Sequence, residues 1–553
     1  MSNNEHKLRI GLLLDSFMIP AWMYYLIEYL KNSNFVTIDL IILNKTKLKK
    51  ENFFSRFIKN RDYHLYTFFM KFEKLFFRTK SDPLILENSK KLLDNINILE
   101  VLPEQTKYSD RFNENDTNKI KECNLDILIR FGFRIIRGNI LSSSKYGVWS
   151  FHHGDENSNR GGPAGFWEVL QNQPTTGTTL QILTEDLDGG KILSKSFSST
   201  DPFSVIRNRS NYYWSSPSIM IRTLQKLYNE GEKIFLSKVE ENNRELTFYD
   251  NSLYTIPKNK YFFKILLKHF LKLAKQKLIS TFYFNQWILL FSIGDQIQKS
   301  FWKYKEIIPP KDRFWADPHI ISKDNIHYVF LEEYIYKKSK GHIAVMEIDK
   351  NGKFINPVEI LEKHYHLSYP FVFYHQNELF MVPESSSQKT IQLYKCDDFP
   401  LKWTFQKNLL ENIIATDSTL FFHNNKWWLF TSVASNKFAS SSEELCLFYS
   451  DDLLTGDWTS HPMNPIITDV RKARPAGNFF EYNGDLYRPS QNCSVDYGYG
   501  LVFNKISKIT ETEYEETQII SLEPNWKDNI VGFHTFNYSD GLSIIDAKKQ
   551  RLK

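Results

Sequence analysis

A unit of roughly fifty residues recurs five times in the C-terminal half of the chain, and it constrains the fold more than any other feature. Each copy has a small or polar start, an apolar strand, a polar turn and a second apolar strand. The copies begin at Asp317, Ser368, Thr416, Arg474 and Phe533. A period of this length, built from short antiparallel strands, is typical of a β-propeller in which each repeat is one blade of about four strands.

Five repeats predict five blades. We expect residues 287–293 to supply the strand that closes the ring against the last repeat, because closure removes exposed sheet edges. A two-sheet sandwich is the alternative, but it would not explain the recurring unit.

The first half of the chain alternates strand and helix patterns instead. Residues 7–14 predict a buried strand, residues 21–31 a helix and residues 36–43 a second strand, an order that indicates an α/β sheet. Further strands are expected at 126–131, 147–152 and 178–183, and helices at 216–236 and 258–282. A chain of 553 residues is too long for one core. We therefore predict a doubly wound α/β domain over 1–200, a helical connector over 201–285 and an all-β five-bladed propeller over 286–553.

Composition excludes several other classes of protein. No apolar run reaches the roughly 18–20 residues that a membrane span requires, and residues 1–8 lack the apolar character of a signal peptide. Cys123, Cys396, Cys446 and Cys493 are scattered without CxxC spacing, which argues for a reducing compartment and against a zinc site. These observations predict a cytoplasmic protein.

The excess positive charge behind the net charge of +6 is concentrated in one segment. Residues 251–294 contain seven lysines and no acidic residue, and the remainder of the chain is close to neutral. Within the predicted helix 258–282, lysines recur at every fourth position. Such a helix could rest on an anionic membrane or bind an anionic substrate; alternatively, it bridges two domains with its lysines solvated. A nucleic-acid partner is not expected from the nearly neutral remainder.

The stretch 149–193 holds the densest set of potential acids, bases and backbone donors. His152 ends a predicted strand, at the edge where α/β sheets place their ligands. Asp188 follows after one helix and one strand, so it could return to the same edge. A carboxylate beside an imidazole fixes its tautomer, and such a pair suits acyl transfer to an amine. The alternative is that His152 is a core histidine and Asp188 caps a turn.

The same stretch resembles the catalytic domain of the folate-dependent formyltransferases. The matching segments are Ser150-Phe151-His152, Asn159-Arg160-Gly161-Gly162-Pro163, Thr176-Gly177-Thr178-Thr179 and Leu187-Asp188-Gly189-Gly190. The resemblance covers roughly residues 7–200. It implies transfer of a formyl group from 10-formyltetrahydrofolate to an amine, on an amino sugar, a sugar nucleotide or a glycan.

The resemblance also implies roles for particular residues. His152 would be the general acid/base and Asp188 would orient it. The formyl-donor pocket would be formed by Arg130, Gly132, Phe133 and Asp186. Ser150 stands where the family has an asparagine that helps hold the formyl oxygen, and losing one such donor typically costs about 10²–10³ in rate. A divergent or inactive formyltransferase domain is therefore the alternative.

The repeats resemble the propellers of arabinanase- and xylosidase-type glycosidases and, more closely, the propeller-like domain of the glucosamine inositolphosphorylceramide transferases. The segments that carry the likeness are Phe314-Trp315-Ala316-Asp317-Pro318, Tyr369-Pro370, Pro383-Glu384-Ser385, Asp417-Ser418-Thr419 and Arg474-Pro475-Ala476-Gly477. It implies a carbohydrate-binding channel lined by Asp317, Glu384, Asp417, Arg474 and His534. Two carboxylates about 5–9.5 Å apart could carry out glycosidase chemistry. The propeller could thus be a glycan hydrolase or transferase, or a non-catalytic glycan-binding scaffold.

Overall fold

The computed structural model describes residues 6–46, 61–77, 79, 81–186, 189–244 and 253–553. The chain divides into two compact units, residues 1–271 and residues 272–553. The connector predicted over 201–285 contains this boundary, and most of its residues belong to the first unit. Among the described residues, no helix is both long enough and apolar enough to cross a membrane.

The first unit is an α/β structure, as the alternating strand and helix patterns predict. Its described strands are β1 (Leu8–Leu14), β2 (Met18–Pro20), β3 (Val36–Asn44), β4 (Leu86–Asn88), β5 (Asn97–Val101), β6 (Glu104–Gln105), β7 (Ser109–Arg111), β8 (Ile127–Arg130), β9 (Ile135–Arg137), β10 (Val148–His152), β11 (Thr175–Ile182) and β12 (Lys191–Ser199). Its described helices are α1 (Ala21–Lys31), α2 (His64–Phe76), α3 (Glu114–Glu122), α4 (Phe166–Gln171), α5 (Val205–Glu230), α6 (Glu232–Asn242) and α7 (Asn259–Phe282), the last of which continues past the unit boundary.

Seven of these strands form one sheet in the order β12-β11-β10-β8-β1-β3-β5. Strand β1 is parallel to β3 and to β8, and β10 is parallel to β8, whereas β11 and β12 are antiparallel additions at one edge. Strand β1 is central because its run of apolar side chains is buried almost throughout. The parallel strands bring the carboxyl ends of β1, β8 and β10 to one edge of the sheet.

The helix predicted over 216–236 differs in the structure. Helix α5 begins earlier, at Val205, because the Ser204 side chain accepts a hydrogen bond from the Arg207 N–H and caps it. It ends at Glu230 because Gly231 adopts φ 78°, a left-handed value that interrupts a helix. Residues 232–236 belong to the separate helix α6.

The second unit is all-β apart from the end of α7 and short helical turns. Its strands are β13 (Tyr283–Ile293), β14 (Lys305–Ile307), β15 (Arg313–Lys323), β16 (Ile326–Ile335), β17 (Lys340–Asp349), β18 (Phe354–Leu361), β19 (Ser368–His375), β20 (Glu378–Glu384), β21 (Thr390–Asp398), β22 (Lys402–Glu411), β23 (Ala415–His423), β24 (Lys426–Val433), β25 (Leu445–Ser450), β26 (Thr459–Ser460), β27 (Phe480–Tyr482), β28 (Asp485–Asn492), β29 (Gly500–Ile509), β30 (Tyr514–Leu522), β31 (Ile530–Gly532), β32 (Phe536–Ser539) and β33 (Leu542–Leu552).

In residues 272–553, all of which are described, these strands form five antiparallel sheets. The first four sheets each contain four consecutive strands, β15–β18, β19–β22, β23–β26 and β27–β30. The fifth sheet joins both ends of the unit, because β13 pairs with β33 from Tyr283 to Ile293 and β31 and β32 also pair with β33. The prediction that residues 287–293 pair with the last repeat is confirmed.

Candidate functional site

Three of the repeats place a strained residue at the same position of their first strand. Asp317 on β15, Tyr369 on β19 and Asp417 on β23 have positive φ values of 53°, 42° and 51°. Each lies at a break in strand register, as expected of a β-bulge. Left-handed backbone at residues other than glycine costs about 1–3 kcal/mol, and such strain concentrates at functional sites.

Asp317 belongs to a buried chain of three ionisable groups. The two nitrogens of His534 contact two carboxylates, Nδ1 lying 2.6 Å from Asp546 Oδ2 and Nε2 lying 3.3 Å from Asp317 Oδ1. Asp546 also accepts hydrogen bonds from the backbone N–H groups of Asp317, His534 and Thr535. Although burial opposes it, the His534 imidazole and these donors hold the pKa of Asp546 below its ordinary value. Burial opposes protonation of His534, but the carboxylates of Asp546 and Asp317 raise the pKa of this imidazole above its ordinary value.

Asp417 belongs to a second buried group. Its carboxylate accepts hydrogen bonds from Arg474 Nε at 2.6 Å, from Arg474 Nη2 at 3.2 Å and from Gln491 Nε2 at 2.6 Å. Glu384 accepts the Asp417 backbone N–H at 3.2 Å, and its Oε2 lies 3.5 Å from Arg474 Nη2. Arg474 therefore holds carboxylates from two different sheets.

Tyr369 connects the first four repeats of the unit. Its backbone N–H donates to Asp317 Oδ2 at 3.1 Å, its hydroxyl lies 2.9 Å from Thr419 Oγ1, and that hydroxyl accepts the Gly477 N–H at 2.7 Å. The tyrosine ring is fully buried. Two of the three positions with positive φ thus contribute carboxyl groups to one set of buried ionisable residues around Tyr369. We call this set the central cluster: Asp317, Glu332, Glu384, Asp417, Arg474, His534 and Asp546.

The central cluster contains more carboxyl groups than positive charges, and this imbalance shifts their pKa values. Burial raises the pKa of Asp317 to about 6, and the carboxylates of Asp417 and Asp546 add to the effect against the opposing His534. Burial raises the pKa of Asp417 to about 7, although Arg474 lowers it. Burial, together with the surrounding carboxylates, raises the pKa of Glu332 well above its ordinary value. Glu332 stands opposite Ala316, the chain neighbour of Asp317, in the β15–β16 pairing, so two carboxyl groups with raised pKa values belong to adjacent strands.

Aromatic side chains lie over one side of the cluster. The Trp287 ring stacks on His534 with ring centroids 4.1 Å apart, and Tyr497 meets the same imidazole edge-on at 5.2 Å. Tyr497 also lies over the Arg474 guanidinium at 4.9 Å, while 41% of its own surface remains exposed. Exposed aromatic rings beside buried polar groups are typical of a ligand-binding mouth.

The structure thus brings together all five residues that the sequence places in a channel, Asp317, Glu384, Asp417, Arg474 and His534. It adds Glu332 and Asp546, which sequence reasoning missed. The sequence feature that could have identified them is an acidic residue within an apolar strand pattern, at residues 329–333 and 544–547. Both side chains are at most 5% exposed, and acids at such positions are seldom buried unless they are paired.

In the first unit, the residues predicted from the formyltransferase resemblance lie at the edge formed by β8 and β10. Ser150 is 1% exposed, and its hydroxyl accepts a hydrogen bond from Arg130 Nε at 3.0 Å. Arg130 also donates to the carbonyl oxygen of Arg134 at 2.7 Å. His152 ends β10, and its buried Nε2 has no hydrogen-bond partner among the described residues.

The other predicted pocket residues are placed differently. Phe133 is buried, and its N–H donates to Asp15 Oδ1 at 2.9 Å. Gly132 packs so tightly that a Cβ there would lie 2.4 Å from the backbone nitrogen of Asp15. Asp186 is exposed in the turn after β11, and Asp188 lies outside the described residues.

The neighbouring His153 is a structural residue of the core. Its ring lies 4.2 Å from that of Tyr213 and 5.6 Å from that of Trp22, and its Nε2 is 3.0 Å from Ser216 Oγ. Burial lowers the pKa of His153 to about 3, so this imidazole is neutral. The two adjacent histidines therefore differ, since His153 is fixed in the core by these contacts whereas His152 Nε2 has no hydrogen-bond partner among the described residues.

A family model matches part of the second unit. The family model "Glucosamine inositolphosphorylceramide transferase 1, N-terminal" matches residues 307–534. Glucosamine inositolphosphorylceramide transferase 1 of Oryza sativa subsp. japonica is 35% identical over 209 residues, which are 37% of this chain and 28% of the rice protein. The chain thus spans under a third of that relative's length, and the resemblance of its repeats to this family is confirmed.

Solved structures with similar parts are more distant. The β-xylosidase RS223 is 14% identical, with a TM-score of 0.31 over 41% of this chain and 82% of the xylosidase. WlaRD, a sugar 3N-formyltransferase, is 14% identical, with a TM-score of 0.24 over 41% of this chain and 65% of its own. Scores this low establish no shared activity.

The prediction that this chain is a formyltransferase acting on an amine is wrong. The family model and the curated relative are glucosamine inositolphosphorylceramide transferases, whose names describe no one-carbon transfer. The structure supplies a physical reason, since the Ser150 hydroxyl that replaces the family asparagine is buried and already accepts a hydrogen bond from Arg130. Binding of 10-formyltetrahydrofolate as such stays a prediction.

Proposed function

We propose that the second unit is a five-bladed β-propeller that acts on carbohydrate, and that its central cluster is a glycosyl-transfer centre for an amino-sugar glycan. The observation that carries the proposal is the convergence of buried carboxyl groups, among them Asp317 and Glu332, with Arg474 and His534 at the meeting point of several sheets. An acid and a base with separated pKa values are what cleavage or formation of a glycosidic bond requires. Similarity to the glucosamine inositolphosphorylceramide transferases supports the choice of sugar.

The propeller assignment rests on how the sheets are joined. Asp317, Tyr369, Asp417 and Gly477 come from four consecutive repeats and are linked by hydrogen bonds or shared partners. The fifth sheet contributes His534 and Asp546 to the same cluster, and its β13–β33 pairing joins the two ends of the unit. Five sheets whose inner ends converge in this way correspond to blades around a central axis.

The raised pKa of Glu332 suits this residue to the role of acid. During transfer, the bond between the anomeric carbon and the leaving oxygen breaks, while the acceptor oxygen forms a new bond to that carbon. Asp317 takes the proton of the acceptor hydroxyl, and Glu332 donates a proton to the leaving oxygen. His534 and Asp546 fix the position and charge of Asp317, and Arg474, held by Asp417, offers donors to sugar hydroxyls.

The test is turnover of 4-nitrophenyl glycosides of glucosamine and N-acetylglucosamine, with and without an alcohol acceptor. Asp317→Asn and Glu332→Gln should each reduce turnover by about 10²-fold or more, because each removes one proton-transfer partner. Asp324→Asn is the matched control, since Asp324 lies exposed in the turn between β15 and β16. Unchanged turnover in both cluster variants would exclude the proposed chemistry.

A glycan-binding unit without catalysis is the second candidate, and the Asp417 contacts favour it. Three donors already satisfy this carboxylate, which suits rigid recognition as well as chemistry. Calorimetric titration with glucosamine distinguishes the two. Binding that Arg474→Ala abolishes, in a wild-type protein that turns over none of the glycosides, would establish the binding role instead.

A further inference from the structure

Helices α2 and α7 of the first unit together carry a large exposed apolar surface. We define the α2–α7 surface as the exposed side chains of α2 and of the α7 residues 259–271. Its apolar members are 44–69% exposed: Phe68, Leu75, Phe76, Phe263, Leu267, Phe270 and Leu271. The two helices are in contact, since Phe72 of α2 lies 6.4 Å from Phe270 of α7. Contiguous apolar patches of this kind mark interaction sites.

Helix α7 has two separate apolar faces, and only one of them packs on the first unit. Phe262 and Leu266 are buried, with Phe262 against Phe69 at 5.5 Å and Phe166 at 5.7 Å. At 100° per residue, Phe263, Leu267 and Leu271 lie on another side of the same helix. Within the described part of the first unit, packing therefore buries one face of α7, whereas the second face is exposed.

Positive charge borders the exposed apolar face. Lys260, Lys264 and Lys268 are exposed on α7, and Lys71 and Lys74 are exposed on α2. Residues 253–282 contain no acidic residue. The acid of α2, Glu73, is buried and accepts a hydrogen bond from Ser204 Oγ at 2.7 Å, while Asp62 precedes the helix and lies 4.0 Å from Arg61.

We infer that the α2–α7 surface docks on an anionic lipid bilayer. An apolar stripe flanked by lysines is the pattern of a helix that lies in the plane of a membrane interface, with its apolar side chains among the acyl chains and its ammonium groups at the headgroups. A second copy of this chain fits less well, because two such surfaces would bring their lysine rows together without acidic partners. The inference is independent of the proposed glycosyl transfer, since its residues belong to the other unit.

The experiment is vesicle co-sedimentation of the full chain. Wild-type protein should sediment with phosphatidylcholine vesicles that contain about 30 mol% phosphatidylserine, and much less with phosphatidylcholine alone or at high salt. Lys260→Ala/Lys264→Ala/Lys268→Ala should weaken partitioning about 100-fold, at roughly fivefold for each lysine. Phe263→Ser/Leu267→Ser should weaken it on both kinds of vesicle, because it removes the inserting side chains.

A matched control replaces three exposed lysines of the second unit, Lys350→Ala/Lys353→Ala/Lys402→Ala, and should bind as wild type does. Circular dichroism establishes that every variant is folded. The inference is overturned if wild-type protein ignores anionic vesicles, or if the control triple loses as much binding as the helix triple. It is also overturned if Phe263→Ser/Leu267→Ser binds like wild type, or if this variant only dissociates a dimer seen by ultracentrifugation.

Discussion

Asp317 has a strained backbone, and folding buries its carboxyl group, which disfavours the charged form. Its φ of 53° and its burial are both costs to the folded state. Sites that retain such costs usually do so for function rather than stability. The cost of burying the Asp317 charge depends on pH, because the carboxyl group is charged only above its pKa.

The stability of the chain should therefore respond to pH through Asp317. Burial raises its folded-state pKa to about 6, above the roughly 3.9 of an unfolded chain. A raised carboxyl pKa contributes stability below about pH 4, and this contribution is lost as pH rises through 6. Asp317→Asn, which cannot ionise, should gain relative to wild type by about 2–3 kcal/mol between pH 4 and pH 7. Denaturant unfolding at the two pH values measures the difference, and a constant difference would contradict the raised pKa.

A buried ion pair links two strands of the fourth sheet and stabilises it. Arg488 of β28 donates to both oxygens of Glu516 of β30 at 2.8 Å, and both side chains are 1% exposed. The Tyr514 hydroxyl donates to the same carboxylate at 2.6 Å. Strand β29 runs between these two strands, so the pair links strands that the backbone does not join directly.

Arg488→Ala should destabilise the second unit by about 3–5 kcal/mol, because it leaves the Glu516 charge buried without its partner. The exposed pair of Lys505 and Asp485, whose side chains are about 40% exposed, is the control in the same sheet. Lys505→Ala should cost no more than about 1 kcal/mol. Thermal unfolding of the two variants compares them, and equal losses would contradict the distinction between buried and exposed pairs.

The elements themselves could largely be predicted from local pattern. Helix α1 begins and ends at the predicted residues 21 and 31, and β1, β3, β8 and β10 lie nearly at theirs, because apolar periodicity determines which residues are buried. The break at Gly231 was missed because a single glycine inside an apolar pattern is compatible with a continuous helix. Its φ of 78° ends α5 and starts α6, and the apolar periodicity does not encode it.

The site was only partly predictable, for a related reason. Asp317, Glu384, Asp417, Arg474 and His534 could be selected because each stands at a repeat start or within a recognisable segment. Glu332 and Asp546 stand inside strands, and no spacing rule links them to the others. Their relation to the cluster depends on five sheets converging, which is a property of contacts distant in sequence. For the same reason, sequence similarity around Ser150 could not reveal that its hydroxyl accepts a hydrogen bond from Arg130.

For the whole molecule, the division into two units separates the two proposals. The central cluster lies within residues 317–546, and the α2–α7 surface lies within residues 64–271. Each unit also has its own apolar clusters: Leu12 lies among those of the first, and Leu289 packs with Trp315 and Leu331 in the second. We therefore expect the units to unfold as separate cooperative blocks.

Substitution of one buried leucine in each unit tests this expectation. Leu12 on β1 and Leu289 on β13 are both fully buried, and Leu→Ala at such sites costs about 2–5 kcal/mol. In scanning calorimetry, Leu12→Ala should lower one transition and Leu289→Ala the other. Leu289→Ala should also weaken sugar binding at elevated temperature, since β13 pairs with the strand that carries Asp546, while leaving vesicle binding unchanged. A single transition that both variants lower equally would show that the units fold as one block.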